Sequence, residues 1–519
     1  MDMLYTRALF LNARRYPRKP AIVFAGQAWT YAQLYDRVAR LGTLLAAQGV
    51  GAGDRVSLLS ENHPDMLAVM FAALGLGASP APINYRLKDD DIAFIARNSA
   101  AKVVVLGPGY GGHADLLAQA LPQARLLSLG PAASGAAPDA IDTLIAEARP
   151  LAFDWTAATN LALLHTSGTT GRPKGALRAR WGLSARAIEQ GFTQDDRTLG
   201  VMPLCLSYGY GYSLLPLYLG ATLYLEPDFD ERRVAALLEA EGINSTFMIP
   251  TLVQRLVDYE GFARLRCPSL RLIQNAAGAL SYETRAAVVD KLGYVLSTYA
   301  ASTESGPYAN LKGRDILRDQ TASGIGRTFF GSEVRLLDDD GHDVATGAVG
   351  EICVRGASQY DAYLNEPELT AETRRGDMVS VGDLGRFDDE GFLFLVGRKR
   401  DIIKTGGINV PAADVEDVIA RHPAVAEVAC VGLPDRAWGE MICAAVVLKP
   451  GSGTPADIDV AGFCAQRLSR FQVPRRFVFL PSLPRNLTGK VVKGDLRNLI
   501  LGQDAAPDDG RAVAAEVSP

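Results

Sequence analysis

Leu161-Ala162-Leu163-Leu164-His165 runs straight into Thr166-Ser167-Gly168-Thr169-Thr170-Gly171-Arg172-Pro173-Lys174-Gly175. The first five residues read as a buried strand. The rest is a loop of small residues, whose backbone N–H groups can turn toward one point and cradle phosphate oxygens. Three threonines and a serine add hydroxyl donors, and Arg172 and Lys174 bring positive charge to the same place. The alternative is a flexible Gly/Ser/Thr linker. Against it, four hydroxyl residues fall within the five positions 166–170, Pro173 stiffens the turn, and a lysine comes next. The loop is also not a Walker-type P-loop, because Gly175 stands where that motif needs Ser or Thr for magnesium.

Upstream of this loop, helix and strand patterns alternate. Thr30 is placed to cap a helix ending at Gln48, with Leu34, Val38, Leu41 and Leu45 recurring at helical spacing. Arg55–Leu59 reads as a strand, followed by helix Asp65–Leu74, strand Ser79–Ile83, helix Asp89–Ala96 and strand Lys102–Leu106. Such alternation implies βαβ units and mostly parallel sheets. From 331 to 395, short strands separated by Asp/Gly turns predict a β-rich subdomain. After the charged break Gly397-Arg398-Lys399-Arg400-Asp401, about a hundred residues carry a pattern of their own. There the reading is helix Pro411–Ala420, strands Val425–Val431 and Met441–Leu448, helix Ala456–Leu468 and strand Arg476–Leu480, with Pro411 in the first turn of its helix. The expected organisation is an α/β chain with a large N-terminal domain over 1–398, including the β-rich subdomain at about 331–397. A small mobile α+β domain over 399–502 and a disordered tail over 503–519 complete it.

The 519 residues carry 53 basic and 58 acidic side chains, a net charge of −5, with 48% hydrophobic residues. That is the balance of a globular protein with an ample core, and no basic or aromatic-basic patch recommends nucleic acid. The six cysteines are scattered without a C-x-x-C pair, and the five histidines are dispersed, so no metal-ligand spacing is present. The most apolar stretch, 66–83, is broken by Gly75, Gly77, Pro80 and Pro82 and reads as a core helix feeding a buried strand; a spanning helix needs about 20 apolar residues. No signal-peptide pattern opens the chain, and a cytoplasmic setting is expected.

Four further segments look like parts of one nucleotide site. Ser302-Thr303-Glu304 follows a strand-like run, and Glu304 is suited to magnesium beside phosphates. Asp383, in Val381-Gly382-Asp383-Leu384-Gly385, is suited to ribose hydroxyls, and Arg398 to the same task. Lys490 closes Pro484-Arg485-Asn486-Leu487-Thr488-Gly489-Lys490, where Pro and Gly fix its presentation. Each alone is more simply a solvated charge.

Together, in this order, these segments resemble the adenylate-forming superfamily of acyl- and aryl-CoA synthetases, peptide-synthetase adenylation domains and beetle luciferases. The resemblance runs from the first helix to Lys490. It implies that Thr166, Ser167, Gly168, Thr169, Thr170, Gly171 and Lys174 bind the ATP phosphates, that Ala277, Gly278 and Ala279 lie along adenine, and that Thr303 meets phosphate and Glu304 the Mg2+ ion. Asp383 and Arg398 are then the ribose residues, Arg400 the hinge, Gly406 and Gly407 the passage for the pantetheine arm of CoA, and Lys490 the adenylation lysine. Two positions depart from the family pattern. Ala300 stands where a tyrosine usually meets adenine, leaving that contact to Tyr299, and Leu206 stands where CoA ligases often have histidine.

The activity so implied is ATP-dependent conversion of a carboxylic acid to acyl-AMP with release of pyrophosphate, then transfer to coenzyme A. Loading of a separate carrier protein and luciferase-like oxygenation are the alternatives. A free acid is already ionised at pH 7, so no general base is needed. Between Met202 and Leu225 there is no Asp or Glu to pair with an amino-acid ammonium group. Instead Leu206, Tyr208, Tyr210 and Tyr212, with Asn275, Ala300, Pro307 and Tyr308, suggest an apolar acyl pocket with a few polar groups, suited to an aryl or medium-length aliphatic acid. The expected partners are the small acid, ATP and CoA, with no membrane span and with room for a homodimer.

Overall fold

The computed structural model describes residues 2–130, 139–166, 173–318, 323–485, 491–504 and 514–516. Among these, residues 2–166, 173–334 and 354–379 form one compact unit, and 335–353 and 380–516 contribute to a second.

The first unit is built as the alternating pattern requires. The helix Tyr31–Ala47 starts at a capping box, Thr30 accepting from the Gln33 backbone while the Gln33 side chain accepts from the Thr30 N–H. Its apolar stripe of Leu34, Val38, Leu41 and Leu45 is buried. The strands Ser79–Ile83, Arg55–Leu59, Val103–Leu106, Arg125–Ser128 and Asp139–Ala140 lie in that order as a parallel sheet. The apolar stretch beginning at Met66 lies within a wholly buried helix, Pro64–Gly75, that leads to the wholly buried strand Ser79–Ile83. No helix among the described residues is long and apolar enough to cross a membrane.

A second sheet of this unit runs Gly324–Thr328, Gly306–Lys312, Leu296–Ser302, Leu272–Asn275, Ser245–Phe247, Arg197–Gly200, Thr222–Leu225, Pro20–Phe24 and Gln27–Thr30. Its six central strands are parallel, and it is flanked by antiparallel strands at both ends. Parallel central strands covered by helices explain the long apolar runs, which need no polar face. A third, small antiparallel sheet joins Ala162–Thr166, Lys174–Arg178 and Ala362–Tyr363.

In the second unit, Met378–Phe387 and Leu393–Arg398 pair antiparallel, and Leu393–Arg398 packs on the helix Ala412–Ile419. The expected boundary at 398/399 therefore falls inside this unit. The long hairpin Val425–Asp435/Gly439–Leu448 is its spine, with Arg476–Phe479 parallel to the second arm. Strand alternation separates two cores: Cys430, Ile442, Ala444, Val446 and Phe477 pack with Val415 and Ile419, whereas Ala429, Val431, Cys443, Ala445 and Val478 pack with Leu496 and Ile500. This is the small α+β body expected from the sequence.

Four local expectations are corrected. Pro411 ends the strand Ile408–Pro411 and stands just before the helix Ala412–Ile419, not within its first turn. The helix expected over Ala456–Leu468 is shortened to Val460–Ala465 behind a 3-10 turn, Pro455–Asp457. The Asp457 side chain bonds Thr454 and Asp459 accepts from the Gly462 N–H, so local side-chain bonds compete with a continuous helix. The β-rich stretch contains the helix Pro367–Thr373. Finally, Ala514–Glu516 pairs with Arg476–Val478, because that strand offers an open edge; the rest of the tail after Asp504 lies outside the described residues.

Candidate active site

The strand Ala162–Thr166 and the returning strand Lys174–Arg178 form a hairpin in which Thr166 sits opposite Lys174. The two ends of the expected phosphate loop are thus pinned side by side by ladder bonds. Ser167, Gly168, Thr169, Thr170 and Gly171, with Arg172, lie outside the described residues, as does Lys490.

Lys174 leads to the main finding of the site. Its ammonium stands 6.0 Å from the ring centroid of Tyr363, and the Tyr363 hydroxyl donates to Oε1 of Glu304. The backbone N–H of Tyr360 also donates to the Glu304 carbonyl at 2.7 Å. Burial, then the Glu304 charge, pushes the Tyr363 phenol far above its ordinary value, so it remains a donor at any physiological pH. Glu304 lies in a turn after the strand Leu296–Ser302, where Ser302 Oγ accepts from the N–H groups of Glu304 and Ser305 at 3.2 and 3.0 Å. Thr303 occupies the same half-buried turn. Gly306 closes it with φ +71°, and a Cβ there would lie 2.2 Å from Ser358 Cβ and 2.5 Å from Arg178 Nη2. Only glycine meets both demands.

Among the described residues, hydrogen bonding leaves the second Glu304 oxygen available. One carboxylate beside phosphate oxygens is a normal donor set for Mg2+, so the residues fit that ion.

The strand Leu272–Asn275 ends in the turn holding Ala277, Gly278 and Ala279. Ala277 has φ +74°, a left-handed conformation unfavourable for a side-chain-bearing residue. Asn275 is buried, donating to the Met248 carbonyl at 2.9 Å while its Oδ1 has no partner among the described residues.

Tyr299 does not join this turn. Its ring is buried between Phe247 and Phe329, with centroids 5.9 and 6.1 Å away, and its hydroxyl donates to Gln274 Oε1 at 3.4 Å. Adjacent strand residues point to opposite faces, so Tyr299 and Ala300 cannot share one. Tyr299, expected to meet adenine, thus has its ring in an aromatic wall. Tyr208 stacks on Phe247 at 5.7 Å and 7°, and Tyr212 meets the same ring at 5.7 Å. Tyr210, buried on another side of the helix Ser207–Leu219, packs on Trp181 at 4.7 Å. Leu206 precedes that helix, and Pro307 lies buried opposite Ala301 in the neighbouring strand, its carbonyl accepting from Ser332 Oγ at 2.9 Å. Tyr308 is buried core.

In the second unit, Asp383 and Arg398 face each other across the antiparallel pair, Arg398 Nε lying 3.4 Å from Asp383 Oδ1. Arg400 sits in the turn Lys399–Asp401 with Nε 3.7 Å from Asp401 Oδ1. Gly406 and Gly407 form the tight turn between Ile402–Thr405 and Ile408–Pro411 with φ +56° and +78°. The Gly406 N–H donates to the Trp438 carbonyl at 2.8 Å, and a Cβ on Gly406 would lie 2.6 Å from the indole.

The sequence reading missed Tyr363, Phe247, Trp181, Arg178 and Arg186. A tyrosine 59 residues from its glutamate leaves no local signal. For Arg178, an arginine ending a strand directly after Gly175-Ala176-Leu177 was the available clue.

A family model described as AMP-binding enzyme matches residues 9–364, and one described as AMP-binding enzyme C-terminal domain matches 414–490. Indoleacetate–CoA ligase of Aromatoleum aromaticum is 34% identical over 491 residues, 93% of this chain and 96% of that protein. Fatty acid–[acyl-carrier-protein] ligase ScoC of Streptomyces coeruleorubidus is 28% identical over 95% of this chain and 96% of its own. Among solved structures, ATP-bound MatB from Rhodopseudomonas palustris superposes with a TM-score of 0.85 at 28% identity, covering 96% of this chain and 99% of that one.

Proposed function

We propose, from the premise that this chain belongs to the AMP-binding enzyme family, that it activates a carboxylic acid with ATP as acyl-AMP and passes the acyl group to coenzyme A. The observation that carries this reading is the meeting of Lys174 and Glu304 at Tyr363 beside the neck of the Thr166–Lys174 hairpin. A cation, a carboxylate and a hydroxyl-rich loop are what a bound triphosphate requires. The likeness to an ATP-bound structure over nearly the whole chain supports the same nucleotide.

The chemistry asks that two anions, the acid and the α-phosphate, be brought together while charge spreads over the transferring phosphorus. Such transfer is chiefly positioning and electrostatics. The hairpin loop takes the β- and γ-phosphates and retains pyrophosphate as it leaves. Glu304 and Thr303 fix the phosphate end, and Tyr363 orients the Glu304 carboxylate through its hydroxyl. Mg2+, held by Glu304, supplies neutralisation of phosphate charge. Asp383 accepts from the ribose hydroxyls and Arg398 shares that contact. Lys490 bridges the acid carboxylate and the α-phosphate. In the thioester step the Gly406–Gly407 turn lets the pantetheine arm pass close to the backbone.

A second acceptor, a separate carrier protein, is favoured by the likeness to the carrier-protein ligase ScoC. Pyrophosphate release measured with ATP, Mg2+ and a panel of carboxylic acids, each with and without CoA, tests both readings. Release with an acid and formation of its CoA thioester is the expected result. No release with any acid would end the adenylation reading, and release without thioester would transfer the second step to a carrier.

A further inference from the structure

Two arginines are buried beside the aromatic wall, and among the described residues neither has a carboxylate in ion-pair contact, although Glu304 and Asp361 act on Arg178 from further away. Arg178 is 3% exposed and Arg186 8%. Arg178 Nε donates to the Arg180 carbonyl at 2.9 Å, but among the described residues its Nη2 has no partner, and neither has Arg186 Nε. Two further buried donors stand with them unpartnered, the Trp181 indole N–H and the Tyr210 hydroxyl. A buried charge ordinarily carries a counter-charge, and a buried donor an acceptor. Here, among the described residues, four donor atoms in one cluster lack an acceptor.

The four groups are contiguous. The Arg178 guanidinium carbon lies 4.6 Å from the Trp181 ring centroid, and the Trp181 and Tyr210 rings are 4.7 Å apart. A Cβ on Gly211 would stand 3.0 Å from Trp181 Cε3 and 3.1 Å from Arg186 Nη1, so that glycine brings the helix Ser207–Leu219 close to both. At the other end, Arg178 Nη2 comes close to Gly306, two residues beyond Glu304. The cluster thus joins the helix carrying Tyr208, Tyr210 and Tyr212 to the turn carrying Glu304.

Resting on the acid-activating function proposed above, we infer that the acid is dicarboxylic, and that Arg178 and Arg186, with the Trp181 and Tyr210 donors, receive its second carboxylate. Arginine suits the role because its planar fork matches a carboxylate. Burial, and next the neighbouring Arg186, pulls the Arg178 guanidinium down to about 9 even with Glu304 and Asp361 nearby. On this reading the acyl site, expected from sequence to be mainly apolar, would have a cationic end.

The test is pyrophosphate release with pairs of acids matched in heavy-atom count, one member bearing a single carboxylate and the other two. The pairs run from short aliphatic to aromatic acids, with wild type, Arg186→Met and Trp181→Phe. A site built on buried donors rejects an analogue lacking the acceptor strongly, so wild type is expected to favour one or more diacids by about 100-fold or more in kcat/KM. Arg186→Met should lose most of that preference, kcat/KM falling far more for the diacid than for the matched monoacid. Trp181→Phe, which removes only the indole N–H, should weaken the preference by about tenfold. Wild type that turns over monoacids and favours no diacid overturns the inference and leaves the adenylation reading standing; so does an Arg186→Met enzyme that loses both members of a pair equally. Silence with every acid strikes the adenylation reading itself. Stabilisation of wild type, but not of Arg186→Met, by chloride or acetate without any diacid preference would make the occupant a free structural ion and would also overturn the proposal.

Discussion

Replacing Tyr363 with phenylalanine removes one hydroxyl and leaves the ring. The ring keeps its place beside Lys174 and its 5.1 Å edge contact with Tyr360. The hydrogen bond to Glu304 Oε1 is lost. A hydrogen bond to a charged acceptor contributes about 1.5–3 kcal/mol. If all of it serves to orient the carboxylate that holds Mg2+, the expected loss is about 10- to 150-fold in kcat/KM for pyrophosphate release. Glu304 is only half-buried, so water can replace the lost donor and the fold should tolerate the change. The Mg2+ concentration for half-maximal rate should rise in Tyr363→Phe, and the thermal midpoint should move little. The assay is initial-rate pyrophosphate release titrated with Mg2+, run beside Glu304→Gln. A Tyr363→Phe enzyme with wild-type rate and Mg2+ dependence, next to a dead Glu304→Gln, would refute the orienting role.

Three other outcomes are expected from the same geometry. Burial holds His165 at about 4, below its ordinary 6.5, with Nε2 2.9 Å from Asn98 Oδ1. Because the folded-state value is depressed, the unfolded chain takes up the proton first on acidification; stability is intact above about pH 6.5 and is lost as pH falls toward 4, by about 3 kcal/mol. Urea unfolding of His165→Gln should show a correspondingly flatter pH profile, and parallel profiles would count against it. Gly406→Ala places a methyl group against Trp438 at a left-handed position, so thioester formation should fall while pyrophosphate release persists; equal loss of both would detach that turn from the CoA step. Lys490→Ala should abolish most adenylate formation yet retain thioester formation from supplied acyl-AMP, and normal pyrophosphate release would rule out its bridging role.

The sequence by itself determined whatever rests on neighbours along the chain. The Thr30 cap, the apolar helix of 64–75 and the strand ending at the hydroxyl-rich loop are local patterns, fixed by helix and strand periodicity and by backbone capping. The ordered succession of loop, Glu304, Asp383, Arg398 and terminal Gly-Lys also lay open in one dimension, and with it the family. Local reading failed where side chains competed with the backbone, as Asp457 and Asp459 do in shortening a helix. Tertiary structure alone decided which distant groups meet. It brought Tyr363 to Glu304, turned Tyr299 into the Phe247 cluster, and buried Arg178 and Arg186 together with donors left unpaired among the described residues. Those contacts depend on strand order and on which face each side chain takes, and neither is encoded in the spacing of residues along the chain.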